Sequence, residues 1–268
     1  MNKRALRLGW FSTGRDQAAR ALLSVVSAAI KEGRLHASLE FVFSSRDEGE
    51  GSESDQFLRL AHEEGLPVVT LSSAKFLPKE RLDGAGRISE EWRRKYDSAV
   101  VRALGPFKVD LVVLAGYMLI VSSRLCDAFA MINLHPALPG GPVGAWQDVI
   151  DEVIDDGHEE TGAMIHLVTE ELDRGPALTF FSFSTVHGVF EPLRLPGKRP
   201  LLFERIRAEG AERELPLVYL TLERIADGTL KIAGSRSSWR GREIEGGVSL
   251  NDEIDLFLEQ AAAAPPGC

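Results

Sequence analysis

The chain has 268 residues, 44% hydrophobic and 26% charged, which suits one large domain, or a domain with an appendage, around a substantial core. Its net charge of −9 argues against broad nucleic-acid or anionic-membrane binding and leaves room for a local basic pocket. Two cysteines, Cys126 and Cys268, make neither a disulfide framework nor a metal cluster, and the start MNKRALRLGWFSTGRD lacks the apolar stretch of a signal peptide, so a cytoplasmic protein without a metal site is expected.

In chain order, LRLGWF (6–11) reads as a strand, STGRDQ (12–17) as a turn, and 18–33 as a helix with Gly33 as its C-cap. LEFVFSS (39–45) is a second strand, 45–55 a polar loop, 55–65 a helix ending at Gly65, and LPVVTL (66–71) a third strand. This strand–helix alternation predicts a parallel sheet with helices on both faces. Residues 75–88 are basic and irregular. SEEWRRKYDSAVVRAL (89–104) is a helix with Ser89 as N-cap, acidic residues toward its start and Arg102 near its end.

VDLVVLAG (109–116) is apolar on both faces, as a central parallel strand is. A short helix (122–129), a brief strand MINLH (131–135) and a helix (144–157) follow. TGAMIHLVT (161–169) and ALTFFSFST (177–185) alternate as strands around the tight turn ELDRGP (171–176). From 186 the chain is proline-rich, then strongly helical over 201–228 with a break near Glu214–Pro216. TLKIAG is one more strand, and AAAAPPGC is expected to fray. The predicted architecture is α/β, a doubly wound, mostly parallel, Rossmann-like sheet in residues 1–185. A helical C-terminal extension, 186–268, packs on the same domain.

Two regions carry chemistry. STGRDQ leads from a strand into a helix, and the first N–H groups of a helix favour anions. Arg15 adds a bidentate grip suited to phosphate. No Walker A loop and no G-x-G-x-x-G is present, and an ordinary strand-to-helix turn has the same pattern. The second region is INLHPALPGG (132–141) together with ELDRGP. Each follows a strand, and open α/β sheets hold ligands at the carboxyl ends of strands. Asn133 offers an amide donor, His135 a group that exchanges a proton near neutrality, and Asp173 a carboxylate to orient the imidazole. No Ser or Cys occupies a nucleophile elbow, so direct acyl transfer suits the set better than a covalent acyl-enzyme. The alternative is a turn cap, a strand-end histidine and an Asx turn. His36, His62, His158 and His187 have no metal-ligand spacing.

The ordered segments LRLGWFSTG, DLVVLAGYM, INLHPAL, GAMIHLVTEELDRGP and ERIADGTLKI resemble the glycinamide ribonucleotide formyltransferases and, more widely, the formyltransferases that use 10-formyltetrahydrofolate. The resemblance spans about residues 6–233. It implies that Asn133 is the oxyanion-binding amide, His135 and Asp173 the catalytic pair, and His166 a supporting histidine. It assigns the pterin cradle to Leu114, Gly116, Tyr117 and Met118 with Glu170, Glu171 and Leu172. It assigns the substrate phosphate to Ser12, Thr13, Gly14, Arg15, Asp16 and Gln17. The chain departs from the family pattern at Gly14–Gln17, at Leu119 in place of an arginine, and in the glycine-rich loop after His135. It departs again at Trp146 and Gln147 in place of histidines, in the segments 78–90 and 186–202, and on the late helix, where only Glu212 stands near a family glutamate.

The expected reaction moves a formyl group from 10-formyltetrahydrofolate to the primary amine of glycinamide ribonucleotide. Rival readings are another amine acceptor such as a hydroxyornithine or amino sugar, hydrolysis of the formyl-folate, and non-catalytic folate or nucleotide binding. The expected partner is a phosphorylated small-molecule amine, with a homodimer allowed and neither nucleic acid nor membrane involved.

Overall fold

The structure, a computed structural model, describes residues 4–263. Cys268 and the part of the expected frayed end beyond Ala263 lie outside the described residues. Two compact units divide the chain, one of Met1–Asn133 with Leu167–Leu172 and one of Leu134–His166 with Asp173–Cys268.

The first unit holds β1 (Leu6–Ser12), α1 (Gln17–Lys31), β2 (Ala37–Ser44), α2 (Ser52–Glu63), β3 (Val68–Thr70), α3 (Glu90–Leu104), β4 (Leu111–Leu114), α4 (Ser123–Ala128) and the start of β5 (Met131–His135). Its strands run in the order β5-β4-β1-β2-β3, every neighbouring pair parallel. The predicted parallel sheet with flanking helices is therefore present. β4 is buried throughout, the reason its sequence LVVL carries no polar residue. Phe11, Phe41 and Phe43 meet Trp92, Tyr96, Val100 and Leu104 of α3 in one core. Full burial stabilises by about 1.5–3 kcal/mol per large apolar side chain.

The helix ends follow their sequence signals. Ser89 Oγ accepts from the Trp92 amide at 3.1 Å and caps α3. Asp16 Oδ1 accepts from the Ala19 amide at 3.0 Å and caps α1. α2 begins at Ser52, inside the stretch 45–55 predicted as loop, because Glu53 and Asp55 suit a first helical turn.

The second unit holds α5 (Trp146–Asp155), β6 (Glu160–Leu167), β7 (Ala177–Ser184), a short 3₁₀ turn (Gly188–Leu193), α6 (Arg199–Ala226), β8 (Leu230–Ala233), β9 (Arg236–Trp239), β10 (Arg242–Glu243), β11 (Val248–Ser249) and α7 (Asn251–Ala263). β6 pairs antiparallel with β7, and β11 adds to β7 in parallel. β8, β9 and β10 form a separate antiparallel sheet. Val149, Ile150 and Val153 pack with Phe190, Leu202 and Ile206.

The expected break near Glu214–Pro216 is absent: α6 is one helix of 28 residues. Pro216 removes one backbone N–H, but it sits in the buried run Pro216–Leu222, and packing of that run outweighs the lost bond. Residues 261–263, expected to fray, close α7. The segment 186–202 is pinned by Arg194, whose guanidinium donates to the carbonyls of Thr185 at 3.0 Å and His158 at 2.8 Å. No helix among the described residues is long and apolar enough to cross a membrane.

Candidate active site

The β1–α1 turn is built from polar side chains used inward. Ser12 Oγ accepts from the Gly14 amide at 3.1 Å. The Thr13 amide donates to the Gly116 carbonyl at 2.9 Å, and Thr13 Oγ1 accepts from the Met118 amide at 3.0 Å. Ser12 and Thr13 therefore shape this turn, and Thr13 ties it to the segment after β4. Gly14 has φ +62, and a Cβ there would stand 2.8 Å from Cβ of Phe57, so both backbone and space require glycine. Arg15 and Gln17 are exposed. The carboxylate of Asp16 occupies the Ala19 amide, so the donors left to an anion are the amides of Arg15, Asp16, Gln17 and Ala18.

β4 ends at Leu114, and the chain runs irregularly to Ser122, the N-cap of α4. Ala115 and Tyr117 are buried, the Tyr117 ring lying 5.3 Å from Phe11 in an edge contact. Met118 is 41% exposed. An open cleft of about 790 Å³ is lined by Trp92, Tyr96, Asp97, Met118–Ser123 and Glu170. Of the residues that the resemblance assigns to the pterin cradle, Met118 and Glu170 line this cleft, and Leu114, Gly116, Tyr117, Glu171 and Leu172 do not. Leu119, standing where the family pattern has arginine, packs against the apolar core, so this wall of the cleft carries no charge at that position.

His135 ends β5 and is 2% exposed. Its Nδ1 lies 3.5 Å from Asp173 Oδ2, and Nε2 of His166 lies 3.7 Å from Asp173 Oδ1. The two imidazoles are perpendicular, with centroids 6.2 Å apart, and one carboxylate serves both. Asp173 has φ +53, a left-handed conformation that Asp tolerates better than most residues. The turn LDRGP thus aims its carboxylate back toward β5 and β6. The loop after His135 closes over the pair: Nε2 of His135 donates to the Pro142 carbonyl at 2.8 Å, the Gly144 amide donates to Asp173 Oδ2 at 3.0 Å, and Arg174 donates to the Gly141 carbonyl at 3.2 Å. Gly140 and Gly144 have φ +79 and +107, which explains glycine at these two positions.

Burial holds the His135 imidazole below its ordinary pKa, against the opposing pull of the Pro142 carbonyl and the Asp173 charge. Burial raises Asp173, but the His166 hydrogen bond, His135 and the Gly144 amide together bring it below the usual carboxylate value. A neutral imidazole beside an ionised carboxylate can take a proton once Nε2 is released from the Pro142 carbonyl. Asn133 lies on β5 opposite Leu114 of β4.

Sequence reasoning misses several groups. The loop contacts use the backbone of Gly141, Pro142 and Gly144, which leaves no pattern, and the guanidinium of Arg174 in the following turn. The buried carboxylate of α6 is Glu214, 5% exposed and 2.9 Å from Arg207, whereas Glu212 is exposed. Trp146 lies under that same Arg207, 4.8 Å from its guanidinium. Asp97 reads as one of the helix's ordinary charges but is 1% exposed. Its signal is its position one residue past Tyr96 and three before Val100, on the apolar face.

Residues 15–184 match the formyl transferase family. The phosphoribosylglycinamide formyltransferase of Escherichia coli K12 is 26% identical over 212 residues, covering 78% of this chain and 84% of that protein. Among solved structures, the phosphoribosylglycinamide formyltransferase of Coxiella burnetii aligns with a TM-score of 0.69 at 21% identity, over 91% of this chain and 99% of that one. The formyltetrahydrofolate deformylase of Burkholderia mallei aligns with a TM-score of 0.61 at 20% identity, over 88% of this chain and 70% of that one. These two likenesses are ones of fold. With the family match running from Arg15 in the turn before α1 to the end of β7 and including the His135–Asp173 pair, the chain belongs to the formyl transferase family.

Proposed function

We propose that this protein transfers the formyl group of 10-formyltetrahydrofolate to the primary amine of glycinamide ribonucleotide. The observation that carries the reading is the His135–Asp173 pair, 3.5 Å apart and buried, in a chain of this family. The amine nitrogen attacks the formyl carbon, and the carbonyl oxygen becomes an oxyanion that the Asn133 amide stabilises. His135 takes the proton the amine loses and returns it to the leaving nitrogen of the folate, so the products are a formamide and tetrahydrofolate. Asp173 holds the imidazolium while it exists. For His135 to act through Nε2, the Pro142 carbonyl moves away and the ring proton shifts to Nδ1, toward Asp173.

The family resemblance supplies the supporting roles. The folate lies against Leu114, Gly116, Tyr117 and Met118 with Glu170, Glu171 and Leu172. The acceptor phosphate lies at the β1–α1 turn, on the amides of Arg15–Ala18 and the Arg15 guanidinium. His166 fixes the second oxygen of Asp173. The test is direct: incubate the protein with 10-formyltetrahydrofolate and a panel of amines that includes glycinamide ribonucleotide, and identify the formylated product by mass. Formate release at the same rate without any amine would replace transfer by hydrolysis.

A further inference from the structure

We propose that Asp97 is a positioning residue that latches the segment Met118–Ser122, and so sets the affinity for the folate; the folate part rests on the function proposed above. α3 turns Trp92, Tyr96, Val100 and Leu104 into the core, and Asp97 is buried with them at 1% exposure. A carboxylate is costly there unless it is hydrogen-bonded. Its partner is the backbone amide of Ser122, which donates to Asp97 Oδ2 at 2.6 Å.

That bond closes a loop held at two places. The segment after β4 has neither helix nor strand until α4. Thr13 Oγ1 holds it at Met118, and Asp97 holds it at Ser122. Between the two anchors lie Leu119, Ile120 and Val121, which with Asp97 itself line the open cleft. A side chain bonded to the loop's last amide fixes backbone groups that a ligand in the cleft would meet. No carboxylate-to-cation ion pair accompanies Asp97 among the described residues; the surrounding ionisable groups are Arg93 and Tyr96 on α3, Tyr117 on the loop and Cys126 on α4. Burial pushes the Asp97 carboxyl up to about 6, against the pull of Ser122 and Arg93. The latch is therefore strongest above that value and weaker below it.

The test uses the full chain with Asp97→Ala and Asp97→Asn. Hydrogen exchange across 118–122 is followed without ligand, tetrahydrofolate affinity is titrated between pH 5 and 7.5, and the KM of each substrate is measured. In Asp97→Ala, exchange should quicken at least about tenfold and the KM for 10-formyltetrahydrofolate rise about tenfold, the scale of one charged buried hydrogen bond. The amine KM should stay unchanged. Asp97→Asn keeps an acceptor and should recover part of the loss, while losing the weakening of tetrahydrofolate binding that is expected of the wild type between pH 7 and 5. Unchanged exchange and affinity in a folded Asp97→Ala protein would overturn the latch, as would equal rises in both KM values. If Asp97→Ala does not fold, the pH dependence of Asp97→Asn decides: a dependence like the wild type's overturns the proposal. Failure of the wild type to bind tetrahydrofolate would sink the proposed function, and exchange at 118–122 would still judge the latch.

Discussion

His135 and Pro142, seven residues apart, are joined by a 2.8 Å bond from the imidazole Nε2 to the proline carbonyl. A carbonyl only accepts, so Nε2 carries the ring proton in this state and Nδ1 faces Asp173 without one. Nitrogen NMR of histidine-labelled protein at pH 7.5 should report the Nε2–H form for His135 in the free protein. Addition of tetrahydrofolate and the amine should move the proton to Nδ1, as the loop gives way and Nε2 turns to the substrate. An Nδ1–H form already present in the free protein would remove the loop from the catalytic cycle.

The pH dependence follows from the same environment. His135 has its pKa held below 6.5 by burial, so kcat/KM should rise with pH through that depressed value and level off near neutrality. Asp173 opposes the depression, so Asp173→Asn should move the acid limb to still lower pH as well as reduce turnover at least about a hundredfold. The stability consequence has a definite sign. A buried neutral histidine binds fewer protons folded than unfolded, so its contribution is present above the unfolded value and is lost as pH falls below 6.5. An acid limb that stays put in Asp173→Asn would separate the two residues.

Asn133 is expected to matter more to the transition state than to binding, because a hydrogen bond to the formyl oxygen strengthens as charge develops there. Asn133→Ala should lower kcat at least about tenfold while the affinity for tetrahydrofolate changes less than about twofold. Equal losses in turnover and binding would assign Asn133 to ground-state contact.

Much of the fold and the site is legible in the sequence because the pattern is local. The continuous apolar run of β4 needs no neighbours to be read as a central parallel strand, and Ser89 three residues before Trp92 marks a helix start by itself. NLHP and LDRGP stand out because proline and glycine after a strand leave polar side chains at a loop. What stays hidden depends on tertiary packing. Pro216 reads as a helix breaker until the buried run around it is known. β11 is two residues long and exists only through its pairing with β7. The Pro142 loop contributes only backbone atoms to its closure on His135, Asp173 and Arg174, and backbone atoms are common to any sequence.

Arg15 is exposed, at a turn whose remaining donors are four backbone amides. If the acceptor carries a phosphate, Arg15→Ala should raise the acceptor KM about tenfold or more and leave the folate KM nearly unchanged. Inorganic phosphate or sulfate should compete with the acceptor and not with the folate. Normal acceptor binding by Arg15→Ala, with no competition from phosphate, would favour a non-phosphorylated amine.

Asp97 carries a stability cost that points the other way from its proposed use. Its folded pKa is raised from 3.8 to about 6, so the folded protein binds a proton there more readily than the unfolded chain. That contribution is present below pH 3.8 and is lost as pH rises through about 6, where the buried group must ionise. Ionising the carboxyl inside the fold at neutral pH therefore costs about 3 kcal/mol, an upper figure that local relaxation reduces. Asp97→Asn removes the charge and keeps an acceptor for the Ser122 amide, so it should raise the melting temperature at pH 7 by several degrees and change it little at pH 4. A core that keeps a destabilising carboxylate within reach of the cleft fits a group retained for the loop it holds. Equal stabilisation at both pH values would show that burial of the charge is not the source of the cost, and a less stable Asp97→Asn protein at pH 7 would show that the ionised latch is a net contributor to the fold.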